Sequence, residues 1–235
     1  IVNGIDTVEW DPKTDKRLVA NYDINDWKEG KAKNKEALQK ELGLEVCPDK
    51  PLIGLVSRLT NQKGVYMITD RIREIMGMDV QFAVLGSGED NAENAFKWME
   101  NEYKGKAVFY CGYNEDLAHR IYASSDIFLM PSLYEPCGIG QLNAMRYGTL
   151  PLVRETGGLK DTVQPYNQYT GEGNGFSFWA ANADDMVYTI RWAVEQYYHN
   201  KAGWEGLVNT AMNTDVSWEK SAAVYEQLYY QLCNW

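Results

Sequence analysis

The sequence predicts an α/β protein, a doubly wound parallel sheet of six strands with helices on both faces. Three observations predict it. Short, almost wholly apolar runs of strand length recur through the middle of the chain, stretches of helical length separate them, and glycine-rich or charged loops follow most of the runs. A strand that is apolar along its whole length has both faces covered, which marks a parallel sheet rather than an antiparallel one with a wetted face. Right-handed crossovers then lead to a Rossmann-like layered structure.

The elements follow in order. Residues 1–50 are polar, and the lysine-rich stretch KEGKAKNKEALQKELGL reads as a helix with a solvated face that ends near Gly43. Strands are expected at 52–57, 80–85, 107–111, 126–130 and 150–153, with a weaker one at 175–178. Helices are expected between them at 65–76, 91–101, 115–123, 139–147 and 159–165. From 183 onward the chain turns helical, at 183–199, 203–213 and 217–233, the last opened by Ser217 with Glu219 and Lys220 behind it. Trp218, Tyr225, Leu228, Tyr229 and Leu232 recur there at helical spacing, as core or interface packing does. There is no internal repeat, low-complexity tract or flexible linker. A single domain over 1–235 is expected, with 1–50 as a crossover and amino-terminal helical segment and 183–235 as the carboxy-terminal helices.

Composition narrows the function. The chain has 235 residues, 45% hydrophobic and 24% charged, enough for a full core. Its 23 basic and 33 acidic residues give a formal charge of −10, which disfavours nucleic acid and anionic membranes as partners. No apolar run approaches the roughly 18–20 residues of a membrane helix. Cys47, Cys111, Cys137 and Cys233 form no CxxC pair, which argues against structural zinc and fits a reducing cytoplasm. His119 and His199 are the two histidines, both on expected helices, and they read as packed or surface side chains. The chain opens on Ile1 rather than Met, without the pattern of a signal peptide, and reads as an excised or processed fragment.

Ligands of open α/β sheets bind at the carboxyl ends of the strands, and the chemically interesting residues fall there. Arg58 and Lys63 stand five apart in the loop SRLTNQKG after the first strand. Two cations near a helix start make an anion site, or else two solvated loop charges. The GSGED that follows the second strand lacks the third glycine of a dinucleotide fingerprint and reads as a tight turn. Tyr113, at the end of the third strand, suits either stacking on a nucleobase or the core. The fourth strand runs into PSLYEPCGIGQ, where Glu135 precedes two glycines and a helix. Small residues there let a diphosphate approach backbone N–H groups, and a carboxylate beside it is expensive unless it serves a substrate, such as sugar hydroxyls. Thr156 and Gly157 belong to a second glycine-rich helix start, RETGGLKD, after the fifth strand.

The block YEPCGIGQLNAMRYGTLPLVRETGGLKDTV closely resembles the donor-site stretch of glycosyltransferase family 5, the bacterial glycogen and plant starch synthases. SRLTNQKG, GYNEDLAHRIYASSDIFLMPS, the opening IVNGIDTVEWDP and the closing DVSWEKSAAVYEQLY are similar to the same family, so the resemblance covers essentially the whole chain. It implies the carboxy-terminal half of a GT-B enzyme, two Rossmann-like domains facing across a cleft. It also implies transfer of glucose from ADP-glucose (UDP-glucose in some members) to the non-reducing end of an α-1,4-glucan, with retention and with no metal or other cofactor. By resemblance Arg58 and Lys63 meet the donor phosphates, and Glu135 positions the transferred glucose. Tyr113 stacks on adenine, Gly138, Ile139 and Gly140 offer N–H groups, and Cys137, Thr156 and Gly157 complete the substrate-binding set. Many relatives read GLTQ where this chain has Gly138-Ile139-Gly140-Gln141, so a threonine hydroxyl is missing. The acceptor-binding amino-terminal domain is missing too, so the isolated piece is expected to be inactive, with its final helix prepared to pack on that domain. A cytoplasmic, or in a plant plastidial, setting follows from the same resemblance. The competing expectations are another GT-B transferase such as a sucrose or trehalose-phosphate synthase, a non-catalytic nucleotide-binding module, and a dehydrogenase or methyltransferase built on GSGED.

Overall fold

A computed structural model describes residues 1–233, and the last two residues of the expected 183–235 helical region lie outside the described residues. Six strands form one sheet: β1 (Leu52–Val56), β2 (Gln81–Gly86), β3 (Ala107–Cys111), β4 (Ile127–Met130), β5 (Leu150–Arg154) and β6 (Phe176–Phe178). Their order is β3-β2-β1-β4-β5-β6, and every neighbouring pair is parallel. This is the doubly wound Rossmann-like sheet that the apolar runs predict.

The pleat of each strand sends alternate side chains to opposite faces, and both faces are dry. Ile53 and Leu55 of β1, Phe82 and Val84 of β2, and Ile127 and Leu129 of β4 enter one core cluster. That cluster also takes residues from α2 (Val65–Thr69), α3 (Ile72–Met76), α4 (Asp90–Glu102), α8 (Ala183–His199) and α9 (Lys201–Asn213). Leu52, Ala83, Leu85 and Phe128 enter the other, against α1 (Trp27–Leu42) and α5 (Glu115–Ser124). The short helices α6 (Gly140–Arg146) and α7 (Gly157–Thr162) start from the loops after β4 and β5. The lysine-rich helix ends as expected, with Gly43 in the left-handed conformation accepting the role of cap.

Three expectations are corrected. The single helix at 65–76 is two short helices, because the amide of Arg71 bonds to the carbonyl three residues back, at Ile68, and its side chain is turned outward to Asp184 of α8. The helix expected at 159–165 lies instead over Gly157–Thr162, since Val163 is already extended two residues ahead of Pro165. The aromatic stripe of α10 (Trp218–Cys233) is not core: among its residues only Ser221 is buried.

The carboxyl ends of β1 and β4 meet at the topological switch point, where the connections leave in opposite directions. The β1–β4 ladder pairs two positions, Ile53 with Ile127 and Gly54 with Phe128, whereas β1–β2 pairs five. The sheet is therefore narrowest along the seam beneath the crevice.

Candidate functional site

The crevice above that seam is a cleft of about 580 Å³, walled by residues that leave β1, β3 and β4. Of the residues singled out in the sequence, Arg58, Lys63, Tyr113, Glu135, Gly138, Ile139 and Gly140 line it.

Lys63 ends a single 3₁₀ turn, Asn61–Lys63, and Glu89 anchors the start of that turn by accepting from the Asn61 amide at 2.9 Å and from the Tyr66 hydroxyl at 2.6 Å. The GSGED segment thus shapes a loop. Its amides and carbonyls extend the β1–β2 ladder through Ser57–Leu85, Leu59–Ser87 and Glu89–Leu59 bonds. Gly64 closes the turn at a φ of 71°, and a Cβ there would lie 1.9 Å from the Pro131 carbonyl oxygen. Only glycine lets the Lys63 loop lie this close to the chain leaving β4.

The loop that carries Glu135 is tied on three sides. The Leu133 amide donates to Gln62 O at 2.9 Å, and Gln62 Nε2 donates to Tyr134 O, so the two loops are zipped together. Arg154, from the end of β5, donates from Nε to Ser132 O at 2.8 Å and from its terminal nitrogen to Leu133 O at 2.6 Å. Gln141 Nε2 donates to the carbonyls of Cys137 and Gly138 and to Thr162 Oγ1, each at 3.1 Å. The result is a 2.5 Å contact between Lys63 Nζ and Glu135 Oε2, with Ser132 Oγ donating to the same oxygen at 3.4 Å. Glu135 is 8% exposed.

Arg58 is exposed and makes no ion pair among the described residues, so its guanidinium faces the cleft uncommitted. Tyr113 is 85% exposed, which removes the core alternative for its ring. The Glu115 carboxylate beside it pushes the pKa of its phenol above the ordinary tyrosine value, first by charge. Cys137, Thr156 and Gly157 stand behind the lining. Cys137 Sγ accepts from the Asn3 amide at 3.3 Å, and Gly157 packs under Glu135. The Gly158 amide donates to Glu135 O at 3.2 Å, so the TGG turn buttresses the acidic loop.

Sequence reasoning missed Trp10, Glu115, Tyr122 and Asn143, which also line the cleft. Asn143 is 2% exposed and its Oδ1 has no partner among the described residues. It stands three residues after Gly140 on α6, the spacing that puts two residues on one helix face, and that spacing was available in the sequence. The arrangement supplies a free guanidinium, an ammonium held by a buried carboxylate, an exposed ring and an unpaired amide carbonyl around one cavity. It can take a ligand with a flat ring, anionic groups and hydroxyls.

Residues 35–203 match the glycosyl transferases group 1 family. The chain belongs to that family. Across 232 residues the chain is 55% identical to a glycogen synthase of Bacillus cereus (strain Q1), a stretch that is 99% of this chain and 48% of that protein. In three dimensions it superposes on the catalytic domain of starch synthase IV from Arabidopsis thaliana bound to ADP and acarbose, with a TM-score of 0.91 and 39% identity, over 98% of this chain and 48% of the other. A sucrose-phosphate synthase from Thermosynechococcus elongatus shares the fold at a TM-score of 0.64 and 21% identity, over 99% of this chain and 52% of the other. This glycosyl transferase domain therefore spans about half the length of the curated relatives it matches. Among the described residues no helix is long and apolar enough to cross a membrane.

Proposed function

We propose that this chain is the donor-binding half of a retaining glucosyltransferase that moves glucose from ADP-glucose to the non-reducing end of an α-1,4-glucan. The observation that carries the reading is the Lys63–Glu135 contact at the switch point, with Arg58 uncommitted beside it. A nucleoside diphosphate gains negative charge as the bond to the sugar breaks, and two fixed cations meet that charge where it grows. Glu135, already bonded to Lys63, is placed to accept from sugar hydroxyls and to hold the transferred glucose as positive charge develops at its anomeric carbon. In this reading the neutralisation of the leaving group falls to Arg58 and Lys63, and no cofactor is called for. Tyr113 offers an exposed face for adenine, and the ADP held by the starch synthase relative supports that choice over uracil.

The glucan acceptor would be bound by a second half, in line with the share of the relatives that this chain spans. The exposed face of α10, with Trp218 at 47%, Tyr225 at 41%, Leu228 at 41% and Tyr229 at 62%, is the surface proposed to pack on it.

Calorimetric titration of ADP, UDP and NAD into the purified chain tests the reading, alongside Arg58→Ala and Tyr113→Ala. Selective ADP binding that both substitutions weaken is the expected result. NAD binding in preference to ADP, or ADP binding indifferent to both substitutions, would remove it. When the chain is joined to the remainder of a full-length relative, Arg58→Ala is expected to lower glucosyl transfer by roughly 10²–10³-fold.

A further inference from the structure

Beside the cleft, and reaching its lining through Trp10 and Glu115, α5 and the segment before α1 share a polar cluster that the donor reading does not use. Its centre is His119, fully buried. Asp15 Oδ2 lies 2.7 Å from its Nδ1 and also accepts from the Tyr147 hydroxyl at 2.7 Å. The other ring nitrogen, Nε2, is buried and has no partner among the described residues. A buried polar atom left unpaired demands an explanation.

The neighbours of that ring supply one. Glu115 is four residues before His119 on α5, so both project from one helix face, and Glu9 approaches from the opposite segment. A nitrogen of His119 and a carboxylate oxygen from each glutamate lie within 4.8 Å of one another. We propose that Glu9, Glu115 and His119 form a binding site for one divalent transition metal ion, of the zinc class. One imidazole and two carboxylates make a borderline ligand set, which suits zinc better than calcium or magnesium. A carboxylate hydrogen-bonded to one ring nitrogen, which leaves the other to an ion, is the usual support behind a metal-binding histidine, and Asp15 has that position. The indole of Trp10 lies flat on the imidazole, 3.7 Å between ring centroids and 11° between planes, and fixes its orientation.

The charges nearby agree. Arg17 contacts Glu9 at 2.7 Å, Asp116 at 2.9 Å and Asp15 at 3.6 Å, so three carboxylates share one guanidinium, and Glu115 adds a fourth beside Glu9. A dication would balance the excess. It would also clip the segment carrying Glu9 to α5 beside Tyr113, and so stiffen one wall of the cleft. The site stands whether or not the cleft binds ADP-glucose.

The experiment uses the full chain, stripped with a chelator and freed of it, titrated with Zn²⁺ by calorimetry and with Co²⁺ by visible absorption. One ion per chain is expected, with a cobalt spectrum of nitrogen and oxygen ligands. Glu9→Gln and Glu115→Gln, both at exposed positions that leave the core intact, are each expected to weaken binding by roughly 10–100-fold. His119→Gln should abolish it if the variant folds. Absence of a stoichiometric site, binding indifferent to both glutamine variants, or a cobalt–thiolate absorption band assigning the metal to a cysteine would each overturn the proposal.

Discussion

Lys63 and Glu135, 72 residues apart in the chain, meet at 2.5 Å across the seam between β1 and β4. Their side chains are 19% and 9% exposed, so each charge depends on the other. Lys63→Met alone leaves a largely buried carboxylate without its counter-charge and should lower stability by about 1–3 kcal/mol. Lys63→Met combined with Glu135→Gln should cost less than the two single changes added together, with a coupling of about 1–3 kcal/mol. Urea unfolding of the four proteins in the cycle measures this, and simple additivity would show that the contact is not an energetic unit.

The buttress behind Glu135 is equally testable. Gly157 has a φ of 43°, and a Cβ there would lie 2.2 Å from the Glu135 carbonyl oxygen. Gly157→Ala is expected to cost about 1–3 kcal/mol and to shift the acidic loop. Thermal unfolding reports the first effect and ADP-glucose calorimetry the second; a variant of wild-type stability would mean that the turn relaxes freely.

At Gly140 a threonine would have a steric cost in this chain. A Cβ would meet Phe128 Cε1 at 3.1 Å, the Tyr122 hydroxyl at 3.3 Å and Met130 Cε at 3.4 Å. Phe128 is fully buried and has nowhere to retreat. Gly140→Thr should therefore destabilise by about 1–3 kcal/mol through overpacking, measured by the urea midpoint. A gain in stability would show that the Phe128 ring repacks.

Lys31 gives a pH dependence. Burial lowers its ammonium from 10.5 to about 7, although Ala123 O, Tyr147 O and Thr149 Oγ1 accept from it. Between about pH 7 and 10.5 the unfolded chain holds a proton on Lys31 that the folded chain has released. Stability from this group therefore rises with pH across that window, and the full cost of burying the charge is present below it. Lys31→Met should be relatively more stable at pH 6 than at pH 10, by on the order of 2–4 kcal/mol in the wild-type-minus-variant difference. A difference that does not change with pH would show that Lys31 keeps its charge when folded.

The strands and their parallel pairing were legible because burial on both faces writes itself into the sequence as unbroken apolar runs, as in Leu52–Val56 and Gln81–Gly86. Arg58, Lys63 and Glu135 were legible as residue types on strand-end loops. Their junction was not, since it depends on Gly64 and Arg154, which act through backbone carbonyls on other loops. The stripe on α10 was legible as a stripe, but periodicity gives the face and not what covers it. His119 reads as an ordinary helical residue until Asp15, 104 positions earlier, is seen 2.7 Å from its Nδ1.

The two-position β1–β4 ladder divides the sheet into halves, each joined internally by longer ladders, with Lys63 on one half and Glu135 on the other. Opening along that seam would dismantle the cleft while leaving both halves folded. A donor gripping both residues would work as a strap across the shortest ladder of the sheet, and amides along β1 and β4 would slow their hydrogen exchange on its arrival more than those of β2 and β3. Occupancy of the cleft and integrity of the sheet are in that sense one mechanical property.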